Sequence, residues 1–309
     1  MRVLVTGGAG YVGWSVVHEL ARRQEVDEIV IYDNFARRNY GLLLSERPSG
    51  ATKIQIIVDD LLNSRGLRKA VEPMDCVIHL AAVAPSPDVD EKPHIFDQVN
   101  HWGTAELGYA VEQTGTQRLV YLSSGAVYGH PDGIADVNTE PFPVNAYGRS
   151  KLAGERQLAP LSGKLKLSII RAGTVYGVNP VARFDTFVNR FLLDVALGRS
   201  LNVHGNGRQT RPIVPVDVVA MRVVDAALNI STPALSHAVT ESVTVDDVIE
   251  ALGETNASVD VIYINQQQQL GGLRMEPSGG VTARDTALLQ SLSHRLKTDL
   301  EKILTSQLK

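Results

Sequence analysis

The chain has 309 residues, of which 44% are hydrophobic and 21% are charged, and its formal net charge is -4. This is the composition of a globular protein with enough residues for one large domain or two smaller ones. The weak negative charge disfavours a nucleic-acid or anionic-membrane surface, because such surfaces need an excess of Lys and Arg. No apolar run approaches the ~20 residues of a membrane span, and the sequence begins on a strand pattern, so we expect a cytoplasmic protein.

The single cysteine, Cys76, excludes an internal disulfide and a cysteine-rich zinc site, and we expect no metal centre. Cys76 lies in an apolar stretch, which is typical of a small buried hydrophobic residue rather than a reactive thiol. Cysteine chemistry is therefore not expected in the function.

Short apolar runs alternate with helical patterns over the first half of the chain. Strands are predicted at residues 2–5, 28–32, 53–58, 76–80, 118–122 and 167–170, and helices at 11–23, around 66–71, at 100–114 and at 147–158. Most of the strand runs are continuously apolar, which is typical of strands covered on both faces. The alternation predicts an α/β fold of the Rossmann type, with a doubly wound parallel sheet and right-handed crossovers.

This alternation loosens after Arg171. We expect residues 1–172 to form the first domain, and residues 173–211 and 231–309 to form a smaller α/β C-terminal domain. Residues 212–230 read as a strand and a helix that return to the first domain.

The run VTGGAGYVG at residues 5–13 places Gly7, Gly10 and Gly13 between the first predicted strand and the first predicted helix. Glycines in this context let the backbone approach a pyrophosphate, and the helix amino terminus offers free N–H groups to the anion. An acidic residue, Asp33, ends the next strand 20 positions after Gly13. The pattern predicts a dinucleotide-binding site.

Asp33 favours NAD over NADP at this site. Its carboxylate is suited to accept hydrogen bonds from a ribose 2′-hydroxyl and repels a 2′-phosphate. Arg37 and Arg38 follow closely and are able to compensate a phosphate, so NADP stays open as the alternative.

Tyr147 and Lys151 are spaced at i and i+4, which places both on one face of a helix. An isolated tyrosine has a pKa of about 10, and a nearby lysine cation together with a positive nicotinamide ring would lower it. Taken alone, such a pair is usually two surface residues. After a dinucleotide-binding pattern, it predicts a phenolate that acts as a general base.

With these residues the chain resembles the extended branch of the short-chain dehydrogenase/reductase superfamily, and in particular its nucleotide-sugar epimerases and dehydratases of the UDP-glucose/galactose 4-epimerase type. The resemblance implies an NAD cofactor and a nucleotide-diphosphate-sugar substrate bound by the smaller domain. It also implies a homodimer built from the predicted helices at 100–114 and 147–158.

Further motifs carry the resemblance along most of the chain: VDDLL at 58–62, HLAA at 79–82, NHWGT from 100, LSSGAVYG at 122–129, RAGTVYG at 171–177 and GNGRQTRPIVPVDVV at 205–219. They imply a catalytic triad of Ser124, Tyr147 and Lys151. The implied cofactor residues are Gly7, Gly10, Tyr11, Val12, Gly13, Asp33, Asn34, Asp60, Leu61, Leu80, Ala81, Ala82, Asn100, Tyr147 and Lys151. The implied substrate residues are Ser86, Ser124, Thr174 and Arg211, with Arg211 as the diphosphate ligand.

Departures from the family pattern reduce the number of reactions that we expect. The resembling 4,6-dehydratases and decarboxylases carry one or two acids directly after the catalytic Ser or Thr, whereas this chain has Gly125 and Ala126, which transfer no proton. Thr174 stands where many 4-epimerases have an asparagine, and Val218 stands where a second aspartate is common, so the sugar or base is open.

These observations predict an NAD-dependent epimerase that inverts C4 of a nucleotide sugar through a 4-keto intermediate. One alternative is a ketoreductase or dehydrogenase for a nucleotide sugar or another small molecule, using the same triad with net turnover of NAD(P). Another is a dinucleotide-sensing protein without catalysis, which the intact triad disfavours.

Overall fold

The computed structural model describes residues 1–38, 40–45, 48, 52–85, 92–229, 232–255, 258–267, 270–278 and 291–306. Its strands are β1 Arg2–Thr6, β2 Glu28–Asp33, β3 Lys53–Val58, β4 Cys76–His79, β5 Arg118–Ser124, β6 Ile134–Ala135, β7 Lys166–Ala172, β8 Thr174–Tyr176, β9 Leu201–His204, β10 Thr210–Pro215, β11 Leu235–Ala238, β12 Glu241–Thr244, β13 Val261–Ile264 and β14 Arg274–Met275. Its α-helices are α1 Tyr11–Ala21, α2 Gly41–Leu44, α3 Ser64–Val71, α4 Pro93–Phe96, α5 Gly103–Thr114, α6 Ala146–Leu158, α7 Phe187–Ala196, α8 Val216–Leu228, α9 Val245–Gly253 and α10 Leu292–Ser306.

The main sheet has seven strands in the order β3-β2-β1-β4-β5-β7-β11, and every neighbouring pair is parallel. One face of this sheet packs against α1 and α8, and the other against α3 and α5. Continuous apolar strands bury both faces, as in β4, where all four residues are buried. The doubly wound parallel sheet predicted from the sequence is confirmed.

The strand order reverses between β1 and β4, which is the topological switch point of the sheet. Ligands of doubly wound sheets bind in the crevice beyond the carboxyl ends of the strands at this point. The glycine loop follows β1, and Asp33, Leu80 and Ser124 lie at or directly after the carboxyl ends of β2, β4 and β5. The fold therefore brings the predicted site residues to one edge.

A second cluster of elements extends this edge. The three-stranded sheet β8-β10-β12 packs with α7, α9 and α10 around a separate apolar core. Two short parallel pairs, β9 with β13 and β6 with β14, complete the part of the chain that the structure describes.

Two strands lie differently from the sequence expectation. The strand predicted in 212–230 is β10, which pairs with β8 and β12 rather than returning to the main sheet, although α8 does pack on that sheet. The range 231–309, which we expected in the smaller domain, contains β11, the seventh strand of the main sheet. This strand has only four residues, LSHA, and its polar residues hide the strand pattern. The domain division itself stays a prediction.

Cys76 is completely buried in β4, and burial raises the pKa of its thiol to about 12. The expectation of a small buried hydrophobic residue is confirmed. In the ranges given above, no helix is long and apolar enough to cross a lipid bilayer.

Candidate active site

The glycine loop is closed by backbone contacts that leave no room for larger side chains. Gly7 has φ +72°, and a Cβ there would lie 2.6 Å from the backbone N of Ala81. A Cβ on Gly13 would lie 2.2 Å from the carbonyl O of Gly7. Helix α1 begins after Gly10 with no side-chain cap, so its first N–H groups are left for an anion. The loop thus fits the pyrophosphate of a dinucleotide.

Asp33 is the last residue of β2 and lies beside the glycine loop in the crevice. Its carboxylate accepts hydrogen bonds from the backbone N of Ala9, at 3.0 Å, and of Phe35, at 2.8 Å. Burial raises the pKa of this carboxyl, and the two backbone hydrogen bonds act against that rise. An ionised carboxylate has about four acceptor sites, so capacity for a ribose hydroxyl remains.

Asn34, Asp60 and Leu61 lie beside Asp33. The Asn34 amide donates to the Asp60 carboxylate at 2.7 Å, and the backbone N of Leu62 donates to the same carboxylate at 2.9 Å. Leu61 is buried in the apolar cluster on the α3 and α5 face of the sheet. The side chains of Asn34 and Asp60 therefore form an exposed polar rim, while Leu61 is part of the core.

Half-buried Leu80, Ala81 and Ala82 follow β4. The loop is held by the fully buried Asn100, whose amide O accepts from the N of Val83 at 2.8 Å and whose amide N donates to the O of Val83 at 2.9 Å. Asn100 also donates to the Ser150 hydroxyl at 3.0 Å, and it lies in a π-helical turn, Asp97–Trp102, before α5. These partners are all protein groups, so Asn100 positions the loop rather than exposing its amide to the cofactor.

Tyr11 is also committed to protein contacts. Its hydroxyl donates to the O of Gly177 at 2.7 Å and accepts from the Asn189 amide at 3.3 Å. Val12 is half-buried beside the core on the α1 face. The backbone N–H groups of this turn, rather than the Tyr11 side chain, are therefore available to a cofactor.

The structure brings Ser124, Tyr147 and Lys151 together. Ser124 ends β5, and Asn145 caps α6 by accepting from the N of Gly148 at 2.7 Å, which starts the helix directly before Tyr147. The Ser124 hydroxyl lies near enough to the Tyr147 phenol to lower its pKa through hydrogen bonding, and Lys151 follows one helical turn later.

Lys151 is 2% exposed, and its ammonium lies 4.2 Å from the centroid of the Tyr121 ring. Burial lowers the pKa of Lys151 to about 7, and the nearby charge of Glu155 acts in the opposite direction. An ammonium whose solvent has been removed is ready to bind a ribose hydroxyl or a phenolate.

The electrostatics at Tyr147 differ from the sequence expectation. Burial raises the pKa of its phenol, while the Ser124 hydrogen bond and the positive charges of Arg183 and Arg37 lower it. We had expected the charge of Lys151 to lower this pKa, and that expectation is wrong: burial outweighs the other effects and the pKa is raised, and the positive charges that act against the rise are those of Arg183 and Arg37 rather than Lys151. Arg37 was noticed in the sequence only as a ligand for a cofactor phosphate, and Arg183 lies outside every motif.

A buried ion pair beneath Lys151 was also missed. The Arg171 guanidinium donates to the Glu155 carboxylate through Nε at 3.0 Å and through Nη2 at 2.7 Å, and both side chains are buried. The Ser123 hydroxyl also donates to this carboxylate, at 2.5 Å. The spacing of Glu155 four residues after Lys151 was the available signal.

A side chain at position 125 would meet the side chain of Met275. A Cβ on Gly125 would lie 2.3 Å from the sulfur of Met275, in strand β14. Met275 is 2% exposed and belongs to the apolar cluster around Val127 and Tyr128. A larger residue at position 125 would therefore require the Met275 side chain to shift.

The substrate residues predicted from the sequence are less closely assembled. Thr174 starts β8 two residues after Ala172, which is paired in register with Ser124. Arg211 lies on β10, and its guanidinium donates to the O of Gly271 at 2.7 Å. Burial lowers the pKa of Arg211, and no acidic side chain of the described residues offsets this. Ser86 lies outside the described residues.

The sequence matches a known protein family. The model of the NAD dependent epimerase/dehydratase family matches residues 3–235. The chain belongs to this family. Membership confirms the family resemblance and the NAD cofactor predicted from the sequence.

Relatives in the family catalyse more than one reaction. A UDP-glucose 4-epimerase of Lacticaseibacillus casei is 28% identical over 224 residues, which cover 68% of this chain and 65% of that protein. A dTDP-glucose 4,6-dehydratase of Mycobacterium tuberculosis is 27% identical over 225 residues, which cover 70% of this chain and 66% of that protein. The match thus spans about two thirds of the length of these relatives.

The solved structure of MoeE5 in complex with UDP-glucose and NAD has a TM-score of 0.80 and 27% identity, and the match covers 99% of this chain and 100% of that chain.

Among the described residues of the present chain, no three His, Cys, Asp or Glu side chains are placed to share a metal ion.

Proposed function

We propose that the protein is an NAD-dependent nucleotide-sugar epimerase that inverts C4. The observation that carries this proposal is the triad of Ser124, Tyr147 and Lys151 beside Gly125 and Ala126, which carry no acid. The triad is sufficient for reversible oxidation of an alcohol, and neither Gly125 nor Ala126 has a side chain for further proton transfer.

NAD, when bound, supplies a hydride acceptor that also returns the hydride, so that epimerisation is redox-neutral. Tyr147 removes the proton of the C4 hydroxyl and returns it to the same oxygen when the rotated 4-keto sugar takes back the hydride on the opposite face of C4. Ser124 hydrogen-bonds the same oxygen and the phenol. Lys151 holds the ribose, and the charges of Arg183 and Arg37 stabilise the phenolate.

Gly125 and Ala126 weigh against dehydration. Elimination of water needs an acid and a base in addition to the group that removes the hydroxyl proton. Gly125 has no side chain, and Ala126 has no titratable group. The dehydratase among the relatives therefore shares the family but not, in our proposal, the reaction.

We further propose that the substrate diphosphate binds Arg211, near Thr174. This guanidinium is half-buried and has no acidic partner among the described residues, which suits it for an anionic ligand. Arg211 and Thr174 do not specify which nucleoside or which sugar the substrate carries.

We also propose a homodimer that pairs α5 and α6 with their copies. Trp102 and Tyr109, seven residues apart, are 54% and 64% exposed, and large apolar side chains on one surface favour a protein interface. Light scattering should return twice the mass of one chain. Cytoplasmic location stays a prediction.

The reaction is tested by incubating the purified protein with UDP-, dTDP-, GDP- and CDP-sugars and NAD, with products identified by NMR. We expect one sugar to give its C4 epimer without net formation of NADH. Stoichiometric consumption of reduced or oxidised cofactor would instead indicate a reductase or dehydrogenase, and a 4-keto-6-deoxy product would indicate a dehydratase.

A further inference from the structure

Three charged side chains meet at the mouth of the crevice, although no sequence motif contains all of them. Arg37 lies in the loop after β2, and Arg183 and Asp185 lie in the loop between β8 and α7. Arg183 holds the Asp185 carboxylate through two hydrogen bonds of 2.8 Å each. The Arg37 guanidinium lies 3.6 Å from the same carboxylate. We call these three residues the arginine cluster.

The arginine cluster lies against the loop that follows β4. Arg183 donates to the O of Pro85 at 2.8 Å, and Arg37 donates to the O of Ala84 at 3.3 Å, so both reach the loop that follows β4. The positive charges of both guanidiniums act on the Tyr147 phenol, which in the proposed reaction takes the proton of the C4 hydroxyl. A group bound by the cluster would therefore lie on the Tyr147 side of the crevice.

The charges of the cluster do not balance. Two guanidiniums share one carboxylate, which leaves one positive charge over. The side chains of Arg37, Arg183 and Asp185 are 45%, 18% and 24% exposed, so the cluster is open to a ligand. Paired arginines match a carboxylate in shape and charge, and Asp185 already shows a carboxylate held in this position.

A cofactor phosphate is the other anion to consider. Arg37 follows Asp33 by four residues, which is the usual region for a group that binds the 2′-phosphate of NADP. Its partners, however, are Ala84 and Asp185, which come from the loops after β4 and β8. The guanidinium is therefore directed toward these two loops rather than along the loop that follows Asp33.

We propose that Arg37 and Arg183 form a subsite for a carboxylate on the sugar of the substrate, so that the protein prefers nucleotide-linked uronic acids to neutral sugars. This inference rests on the proposed function, because it takes the ligand to be a nucleotide sugar. Asp185 occupies the subsite in the absence of the substrate and competes with the substrate carboxylate for the two guanidiniums.

The test measures binding of UDP-glucuronic acid and of UDP-glucose by calorimetry, with NAD present and in a Tyr147→Phe background that prevents turnover. We expect the acid to bind about 10- to 100-fold more tightly, as for one charge-assisted interaction. Arg37→Gln and Arg183→Gln should each reduce this ratio by about tenfold. Arg38→Gln, an exposed neighbour of equal charge, is the matched control and should leave the ratio unchanged.

Asp185→Asn supplies a test with the opposite sign. Removal of the competing negative charge should raise the preference for the acid several-fold, whereas a purely structural Asp185 would lower the affinity for both sugars. The proposal would be overturned if the affinities for UDP-glucuronic acid and UDP-glucose were nearly equal while Arg37, Arg183 and Asp185 are all present. It would also be overturned if UDP-glucuronic acid did not bind measurably. An Arg37→Gln variant that loses NADP affinity and keeps its sugar preference would overturn it as well.

Turnover by the unsubstituted protein separates this inference from the proposed function. Selective binding of the acid without inversion at C4 would refute the epimerase and leave the subsite. Inversion of a neutral sugar with no preference for the acid would refute the subsite and leave the epimerase.

Discussion

Replacement of Lys151 by methionine should abolish activity and stabilise the cofactor-free protein at neutral pH. The Lys151 ammonium is 2% exposed, and its burial lowers the pKa of the side chain to about 7. A lysine in the unfolded chain has a pKa of about 10.4. Folding therefore disfavours the protonated form of Lys151. A methionine at this position carries no such free-energy cost.

The sign and size of the effect follow from these two values. Between pH 7 and 10.4 the unfolded chain binds more protons at Lys151 than the folded protein, so the free energy of unfolding rises with pH in this window. The slope is about 1.4 kcal/mol per pH unit, or about 3 kcal/mol between pH 7 and 9.5. Below the folded pKa the penalty is fully present, and above 10.4 it has gone.

Urea denaturation of the cofactor-free protein at several pH values between 7 and 9.5 measures this difference. The advantage of Lys151→Met over the unsubstituted protein should shrink by about 3 kcal/mol across this range. The change with pH isolates proton binding from any change in packing. Lys69→Met, at an exposed position in α3, is the control and should give a constant difference.

Parallel curves for Lys151→Met and the unsubstituted protein would refute this reasoning. They would mean that Lys151 keeps its ordinary pKa in the folded protein, and that burial beside Tyr121 does not prepare the ammonium for its proposed role.

Three further substitutions test separate parts of the structure. Tyr147→Phe should reduce kcat by at least about 10³-fold, since it removes the proposed general base, while NAD affinity measured by calorimetry changes by less than about tenfold. Gly13→Ala should abolish NAD binding in a calorimetric titration, because its Cβ would lie 2.2 Å from a backbone oxygen of the same loop; Gly163→Ala, where nothing lies within 4 Å, should bind normally. Arg171→Met should lower the free energy of unfolding in urea by about 3–5 kcal/mol, since it leaves the buried Glu155 carboxylate without its cation. A loss below 1 kcal/mol would show that Glu155 becomes neutral or finds another partner.

Much of the fold could be predicted because its signals are local. The β3 run at 53–58 is continuously apolar apart from its first and third residues, and it forms a strand with those bounds. The glycine loop and Asp33 have a spacing fixed by one strand, one turn and one helix. Such features depend on near neighbours in the chain, so a single sequence reveals them.

The remainder depends on contacts between distant residues. Met275 fills the space at Gly125, 150 positions earlier in the chain, and Asp185 meets Arg37 from another loop. Strand β11 has only four residues, and its place at the edge of the main sheet follows from pairing with β7. No local pattern encodes these contacts, so the arginine cluster and the contact of Met275 with Gly125 needed the structure.

The central claim is that the hydride leaves and returns to C4 of one sugar. The most direct test uses a nucleotide sugar deuterated at C4, taken from the substrate panel, with NAD and with analysis of the products by NMR and mass spectrometry. We predict a C4 epimer that keeps its deuterium at C4, with no label in the cofactor pool. Deuterium found in NADH, or at another carbon of the sugar, would contradict the proposed epimerisation.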